Sequence, residues 1–193
     1  MSGLFSQPVD EAVIAAARAG DRQAQARLYD LFGAAVFTLA RRILGRPEPA
    51  EDVLQDTFVD VVQQLKNFRG EAPVGMWIRQ IAVNKCLMQV RSPWQRLRAH
   101  IGDDSPGMSL EEWSQDDGSA SQDRLDMERA LARLPPESRT VLWLHGVEGY
   151  THQEIARLMG ITANTSKSKL ARAYKRLRLW ALSDTGDGHA PDA

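Results

Sequence analysis

Residues 151–178 constrain the fold more tightly than any other part of this chain, because helix start and stop signals fall there at regular spacing. Thr151 and Glu154 stand three apart, the spacing at which a hydroxyl and a carboxylate satisfy the first free amides of a helix. Ile155, Ala156 and Met159 give that helix an apolar face. Gly160 can take the left-handed conformation that ends it, and Thr162 can cap the helix that follows. The second helix carries Lys167, Lys169, Arg172, Lys175, Arg176 and Arg178, and no acidic residue occurs between Glu154 and Asp184. A plain solvated helix gains from Glu–Lys pairs at four-residue spacing, and this one has none. Phosphates are the better counter-charge for so many uncompensated cations. A capped helix, a glycine turn and a cation-rich second helix are the parts of a DNA-reading helix-turn-helix.

The net charge of −1 argues against a nucleic-acid binder until its distribution is read. Residues 47–65 hold Glu48, Glu51, Asp52, Asp56 and Asp60 and no Lys or Arg. Residues 72–102 hold Arg79, Lys85, Arg91, Arg96 and Arg98 and no acid, and residues 101–122 are acidic again. Such blocks point to several surfaces with different partners. The single Cys86 excludes an internal disulfide and suits a reducing cytoplasm; its helical, apolar surroundings predict a buried thiol. No secretory signal and no apolar run of membrane-spanning length is present, so the expectation is a cytoplasmic protein without membrane insertion.

The rest of the chain reads as all-α: two small helical domains joined by a flexible acidic linker, the second a helix-turn-helix domain. Helices are expected from about Asp10 to Ala19, Asp21 to Leu44, Pro49 to Leu65 and Val74 to Val90. Leu28, Phe32, Val36, Leu39 and Ile43 mark the inner face of the second. Val53, Leu54, Val61, Val62 and Leu65 mark that of the third, with Gly45 and Pro47 ending the helix before it. Trp77, Ile78, Ile81 and Leu87 or Met88 mark the fourth. A short basic segment follows Ser92-Pro93, and residues 97–121 form the linker, too poor in apolar groups to offset ordering entropy. A helix from Gln122 to Leu134, one after Pro135-Pro136 and the helix-turn-helix complete the second domain, with a disordered tail over 183–193.

Two further segments carry a resemblance to a known family. Ala50-Glu51-Asp52-Val53-Leu54-Gln55-Asp56-Thr57-Phe58 is similar to the acidic motif of the second conserved region of bacterial RNA polymerase sigma factors of the extracytoplasmic-function type. Phe68-Arg69-Gly70, Trp77-Ile78 and Ile81-Ala82-x-Asn84 resemble that family's promoter-melting segment. Leu134-Pro135-Pro136-x-x-Arg139 and the helix-turn-helix resemble its fourth region. The match covers residues 10–96 and 122–182, and the order and spacing of the motifs make it specific.

The resemblance implies core RNA polymerase and promoter DNA as partners, an anti-sigma factor by family habit, no cofactor and no metal. It assigns polymerase docking to Glu51, Asp52, Gln55 and Asp56, which share one helical face. It assigns the −10 element to Arg69, Trp77, Arg79, Asn84, Lys85 and Arg91, with the loop from Asn67 to Gly75 taking up an extruded base. Trp77 could stack on a base, although its spacing with Ile78 and Ile81 favours core packing. The −35 element falls to Thr165, Lys167, Ser168, Lys169, Arg172 and Arg176. Within that helix Ser166, Leu170 and Ala173 point inward.

Two positions depart from the family pattern. Met76 stands where a Thr usually precedes the Trp, and Ser166 where a Val usually faces the core. A buried Ser166 is tolerated if it bonds a backbone carbonyl in the preceding turn. The alternative function is a helix-turn-helix regulator that binds duplex DNA by itself, against which the acidic motif and melting segment count. An enzyme is disfavoured: His100, His145, His152 and His189 lie in different segments without metal-ligand spacing, and no nucleophile–base pair can be named. His145 and His152 flank a turn and are read as surface or capping residues.

Overall fold

The computed structural model describes residues 3–91 and 129–184, and every regular element among them is a helix. The basic segment after Ser92, the linker and most of the tail lie outside the described residues. The chain divides into two units, residues 1–95 and 96–193.

In the first unit, α1 (Glu11–Arg18) and α2 (Arg22–Leu44) both start on an aspartate. The Asp10 carboxylate accepts from the Ala12 amide at 2.9 Å, and Asp21 accepts from Gln23 and Ala24 at 2.7 and 3.0 Å. Gly45, at φ 80°, closes α2 in the left-handed conformation. Pro47 then begins α3 (Pro47–Gln64), two residues earlier than the sequence reading places it. Proline's fixed φ and missing N–H suit the first turn, so the residue expected to end one helix opens the next.

α2, α3 and α4 (Val74–Arg91) pack on one another around one core. Leu28, Phe32, Val36, Leu39 and Ile43 are buried as the spacing predicts. The inner face of α3 is rotated from expectation: Ala50, Val53, Thr57, Phe58 and Val61 are buried, Leu54 is half-buried, and Val62 is exposed. Small Ala50 and Thr57 let α3 approach closely, which periodicity of large apolar residues alone does not register. On α4, Leu87 is buried and Met88 is exposed, while Trp77 and Ile81 are half-buried. Cys86 is fully buried, and burial pushes its thiol up to about 12, so it packs as a small apolar group.

One contributor to this core lies before the first expected helix. Phe5, in a 3-10 turn over Gly3–Phe5, is fully buried with its ring 6.4 Å from that of Phe32 and nearly parallel to it. It lies against the start of α4, where a Cβ on Gly75 would stand 2.2 Å from the Phe5 carbonyl oxygen. Only glycine permits that approach.

The second unit holds helical residues 129–132, then α5 (Pro136–Gly146), α6 (His152–Met159) and α7 (Ala163–Asp184). α7 packs on both α5 and α6. Leu131, Leu134 and Ala173 form a buried cluster flanked by Leu142, Trp143 and Leu177, and Val141, Leu144 and Ile155 are fully buried. Burial pulls the Arg139 guanidinium down to about 10, which leaves it charged at neutral pH. α7 continues to Asp184, so the first residues assigned to a disordered tail are helical.

Candidate nucleic-acid interface

α3 presents Glu51, Asp52, Gln55 and Asp56 to solvent on one face, with no ion pair to a described residue. The next acid on this helix behaves differently. Asp60 accepts an ion pair from Lys85 of α4 at 2.9 Å, with both side chains about three-quarters covered. Lys85, which the resemblance assigns to the −10 element, thus faces a carboxylate of the neighbouring helix.

The remaining candidates of the first unit gather around the start of α4 and the loop before it. Asn67, Phe68, Arg69, Glu71, Ala72, Met76, Trp77 and Gln80 line an open pocket of about 400 Å³. Phe68 and Trp77 form its aromatic part, with ring centroids 5.0 Å apart and planes tilted by 36°. Trp77 is thus a pocket wall as well as a core neighbour, and Met76 adds an apolar, hydroxyl-free surface. Arg69 is highly exposed and 3.7 Å from the equally exposed Glu71, a contact that solvent screens strongly. Gln80 donates to Asn84 at 3.3 Å, and Asn84 remains exposed one turn beyond the pocket. Arg79 is half-buried and Arg91 exposed at the end of the helix.

The loop is held from α1. Arg18 donates through Nη2 to the Phe68 carbonyl, and its guanidinium carbon lies 5.5 Å from the Phe68 ring centroid. Sequence reasoning missed Arg18 because nothing local distinguishes it from a solvated arginine at a helix end; its partner is fifty residues away. Phe5 was missed for a similar reason, standing alone before any periodic pattern.

In the second unit the expected caps are formed. Thr151 Oγ1 accepts from the Glu154 amide at 3.2 Å, and the Glu154 carboxylate accepts from the Thr151 amide at 2.8 Å. The Thr151 amide and hydroxyl hold the Glu154 carboxyl below the usual carboxylate range. Gly160 is left-handed at φ 65°, and Thr162 Oγ1 accepts from the Thr165 amide at 3.1 Å.

Along α7, Lys167, Ser168, Arg172 and Arg176 are exposed, and Thr165 is half-buried in the cap. Arg172 donates through Nε to the Ser168 carbonyl at 3.3 Å, which folds it back along the helix. Lys169, which the resemblance assigns to the −35 element, is engaged within the unit. Its ammonium pairs with the Glu137 carboxylate of α5, and its side chain is only 18% exposed. Ser166 and Ala173 are fully buried and Leu170 half-buried, as expected of the inner face. The Ser166 hydroxyl, however, meets the His152 ring at 2.9 Å, and no bond to a backbone carbonyl takes its place.

Family comparison matches both units. The sigma-70 region 2 model matches residues 28–96, and the sigma-70 region 4 model matches residues 124–177. The ECF RNA polymerase sigma factor SigM of Mycobacterium tuberculosis (strain ATCC 25618 / H37Rv) is 34% identical over 180 residues, covering 92% of this chain and 87% of SigM. The chain belongs to the ECF RNA polymerase sigma factors. SigL of Mycobacterium tuberculosis (strain ATCC 35801 / TMC 107 / Erdman) is 31% identical over 167 residues, covering 86% of this chain and 93% of SigL. Among solved structures, the sigma factor RpoE of Bartonella quintana, crystallised with the anti-sigma factor NepR, aligns with a TM-score of 0.53 at 25% identity. That alignment covers 79% of this chain and 92% of RpoE. As an ECF sigma factor the chain binds core RNA polymerase and promoter DNA and directs promoter-specific initiation, and a regulator that reads duplex DNA unaided is not favoured. No described helix is long and apolar enough to cross a membrane.

Proposed function

We propose that the two units divide the work of initiation, the region 2 unit docking and melting and the region 4 unit reading the upstream element. The observation that carries this reading is the contrast between two faces of the first unit. Glu51, Asp52, Gln55 and Asp56 form an exposed acidic face on α3, whereas the aromatic pocket lies at the start of α4. A face that repels phosphate suits a protein partner, and charges at its rim steer encounter and fix register. A concave pocket walled by Phe68 and Trp77 suits a flat, uncharged ring taken out of the base stack. Asn84 and Arg91 extend that surface along α4, and Arg69 flanks it.

On α7, Lys167, Ser168 and Arg172 serve base edges of the −35 element, Thr165 sits at the helix start beside the backbone, and Arg176 meets phosphate. Lys85 and Lys169 act one step back, holding α4 to α3 and α7 to α5 through their carboxylates. The chain is not itself an enzyme: the melting energy comes from binding, and polymerase performs the chemistry. Its place of action is the cytoplasm, where polymerase resides. A relative's complex with NepR supports control by an anti-sigma factor.

Charge reversal at Asp52 tests the docking face. Asp52→Lys weakens assembly with core polymerase while changing folding stability by less than about 0.5 kcal/mol, since the site is exposed. Wild-type affinity for core polymerase in a folded Asp52→Lys protein would make α3 a merely solvated face.

A further inference from the structure

Two histidines outside the expected DNA-contacting set meet in the second unit. His145 Nδ1, on α5, lies 2.8 Å from the Tyr150 carbonyl oxygen. A carbonyl only accepts, so Nδ1 carries the proton and the His145 ring is fixed in tautomer and orientation. The His152 ring stacks on it, with centroids 4.3 Å apart and planes 20° from parallel. His152 in turn places Nδ1 2.9 Å from the hydroxyl of Ser166, which is fully buried on the inner face of α7. The contacts run from α5 through the first residue of α6 into α7.

We infer that His152 is a positioning residue for DNA reading: clamped by His145, it holds the buried Ser166 hydroxyl and so fixes the rotation of α7. This rests on the proposed role of α7 in reading the −35 element. Ser166 is one residue before Lys167 and two before Ser168, so a rotation about the helix axis moves both exposed side chains with it. The Ser166 amide already bonds the Thr162 carbonyl at 3.0 Å as part of the helix. Removing the imidazole leaves a buried hydroxyl without its partner, which proteins tolerate poorly.

The clamp is also sensitive to protonation. The groups acting on His152 from its surroundings are His145 of α5, stacked on one face, and Lys167 of α7. Burial, then these two groups, lower its proton affinity from the ordinary value. The unfolded chain therefore binds this proton more readily. The stabilising contribution is complete above about pH 6.5 and is lost as pH falls through the lowered native value.

The test uses holoenzyme competing for cognate and altered −35 elements at about pH 7.5 and over a series of falling pH. Wild type loses part of its −35 preference as pH falls through the lowered His152 value. At neutral pH His152→Leu lowers that preference by about tenfold, the effect of orphaning one buried hydroxyl. Adding Ser166→Val to His152→Leu restores the preference and removes the pH response. His152→Gln, whose amide can still bond the hydroxyl, keeps the preference and does not respond to pH. Far-UV circular dichroism stays at the wild-type level and thermal unfolding of the full chain stays cooperative in all of them, which excludes misfolding of the second unit. Full preference in His152→Leu, or a double variant no better than the single one, would overturn the clamp. If wild-type holoenzyme shows no −35 preference, the assignment of α7 has failed instead. The clamp is then read from the His152 imidazole titration by NMR in the free chain. A titration shifted by Ser166→Val supports the clamp, and one identical in wild type and Ser166→Val refutes it.

Discussion

The ammonium of Lys85 lies 2.9 Å from Asp60 Oδ2, and this pair joins the basic helix of the first unit to its acidic one. Both side chains are mostly covered, so the pair is screened less than a surface contact. A charge swap isolates it. Lys85→Asp and Asp60→Lys each destabilise the unit by about 1–3 kcal/mol by leaving like charges face to face, and the double variant recovers most of the loss. Denaturant unfolding of the four proteins measures the coupling. Additive losses would show that the contact has no energetic role and would return Lys85 to the phosphate-binding surface.

Gly75 is the point where the chain's N-terminal turn touches the helix that carries the pocket. Because a Cβ there would meet the Phe5 carbonyl at 2.2 Å and the Phe32 ring at 2.6 Å, Gly75→Ala costs about 1–3 kcal/mol through overpacking. Phe5→Ala costs about 3–5 kcal/mol by emptying the site beside Phe32. The two losses are expected to be less than additive, since Phe5→Ala loosens the turn that Gly75→Ala must displace. Equilibrium unfolding of the double variant checks this, and strict additivity would mean that the turn does not brace α4.

Arg18 braces the other side of the pocket by gripping Phe68 through its carbonyl and its ring. Arg18→Met keeps the aliphatic bulk and removes both contacts. It is expected to reduce opening of the −10 element about tenfold while leaving core polymerase affinity unchanged, because the loop rather than α3 is released. Fluorescence of a base analogue placed in the melted segment reports the opening. An equal loss in core binding would show that Arg18 supports the whole unit and not the pocket.

Thr151→Ala removes the oxygen that caps α6 and is expected to cost about 0.5–2 kcal/mol. The Glu154 carboxyl, held below the usual carboxylate range by the Thr151 amide and hydroxyl, contributes stability above its unfolded pKa that is lost as pH falls through the native one. The difference between wild type and variant therefore narrows in acid, below about pH 4.5. Thermal unfolding across that range follows it, and a constant difference would exclude a reciprocal box.

The helix-turn-helix was legible in detail because its determinants are local. Thr151, Glu154, Gly160 and Thr162 each act within four residues, and each forms the contact its spacing predicts. The buried stripe of α2 was legible for the same reason. What sequence reasoning could not find are contacts between distant segments: Arg18 with Phe68, Phe5 with Phe32, Lys85 with Asp60, Lys169 with Glu137. Two of these engage lysines that the resemblance assigns to promoter DNA. The pairing of His145 and His152 was hidden by the turn between them, which brings together residues that occupy separate helices.

This chain reads promoters as a subunit of polymerase and not alone. Its acidic face repels phosphate and offsets the basic surfaces at the level of the whole chain. Footprinting a cognate promoter at physiological salt with the free chain and with holoenzyme measures the claim directly. Holoenzyme is expected to protect both promoter elements and the free chain neither. Tight, sequence-specific protection by the free chain would contradict it.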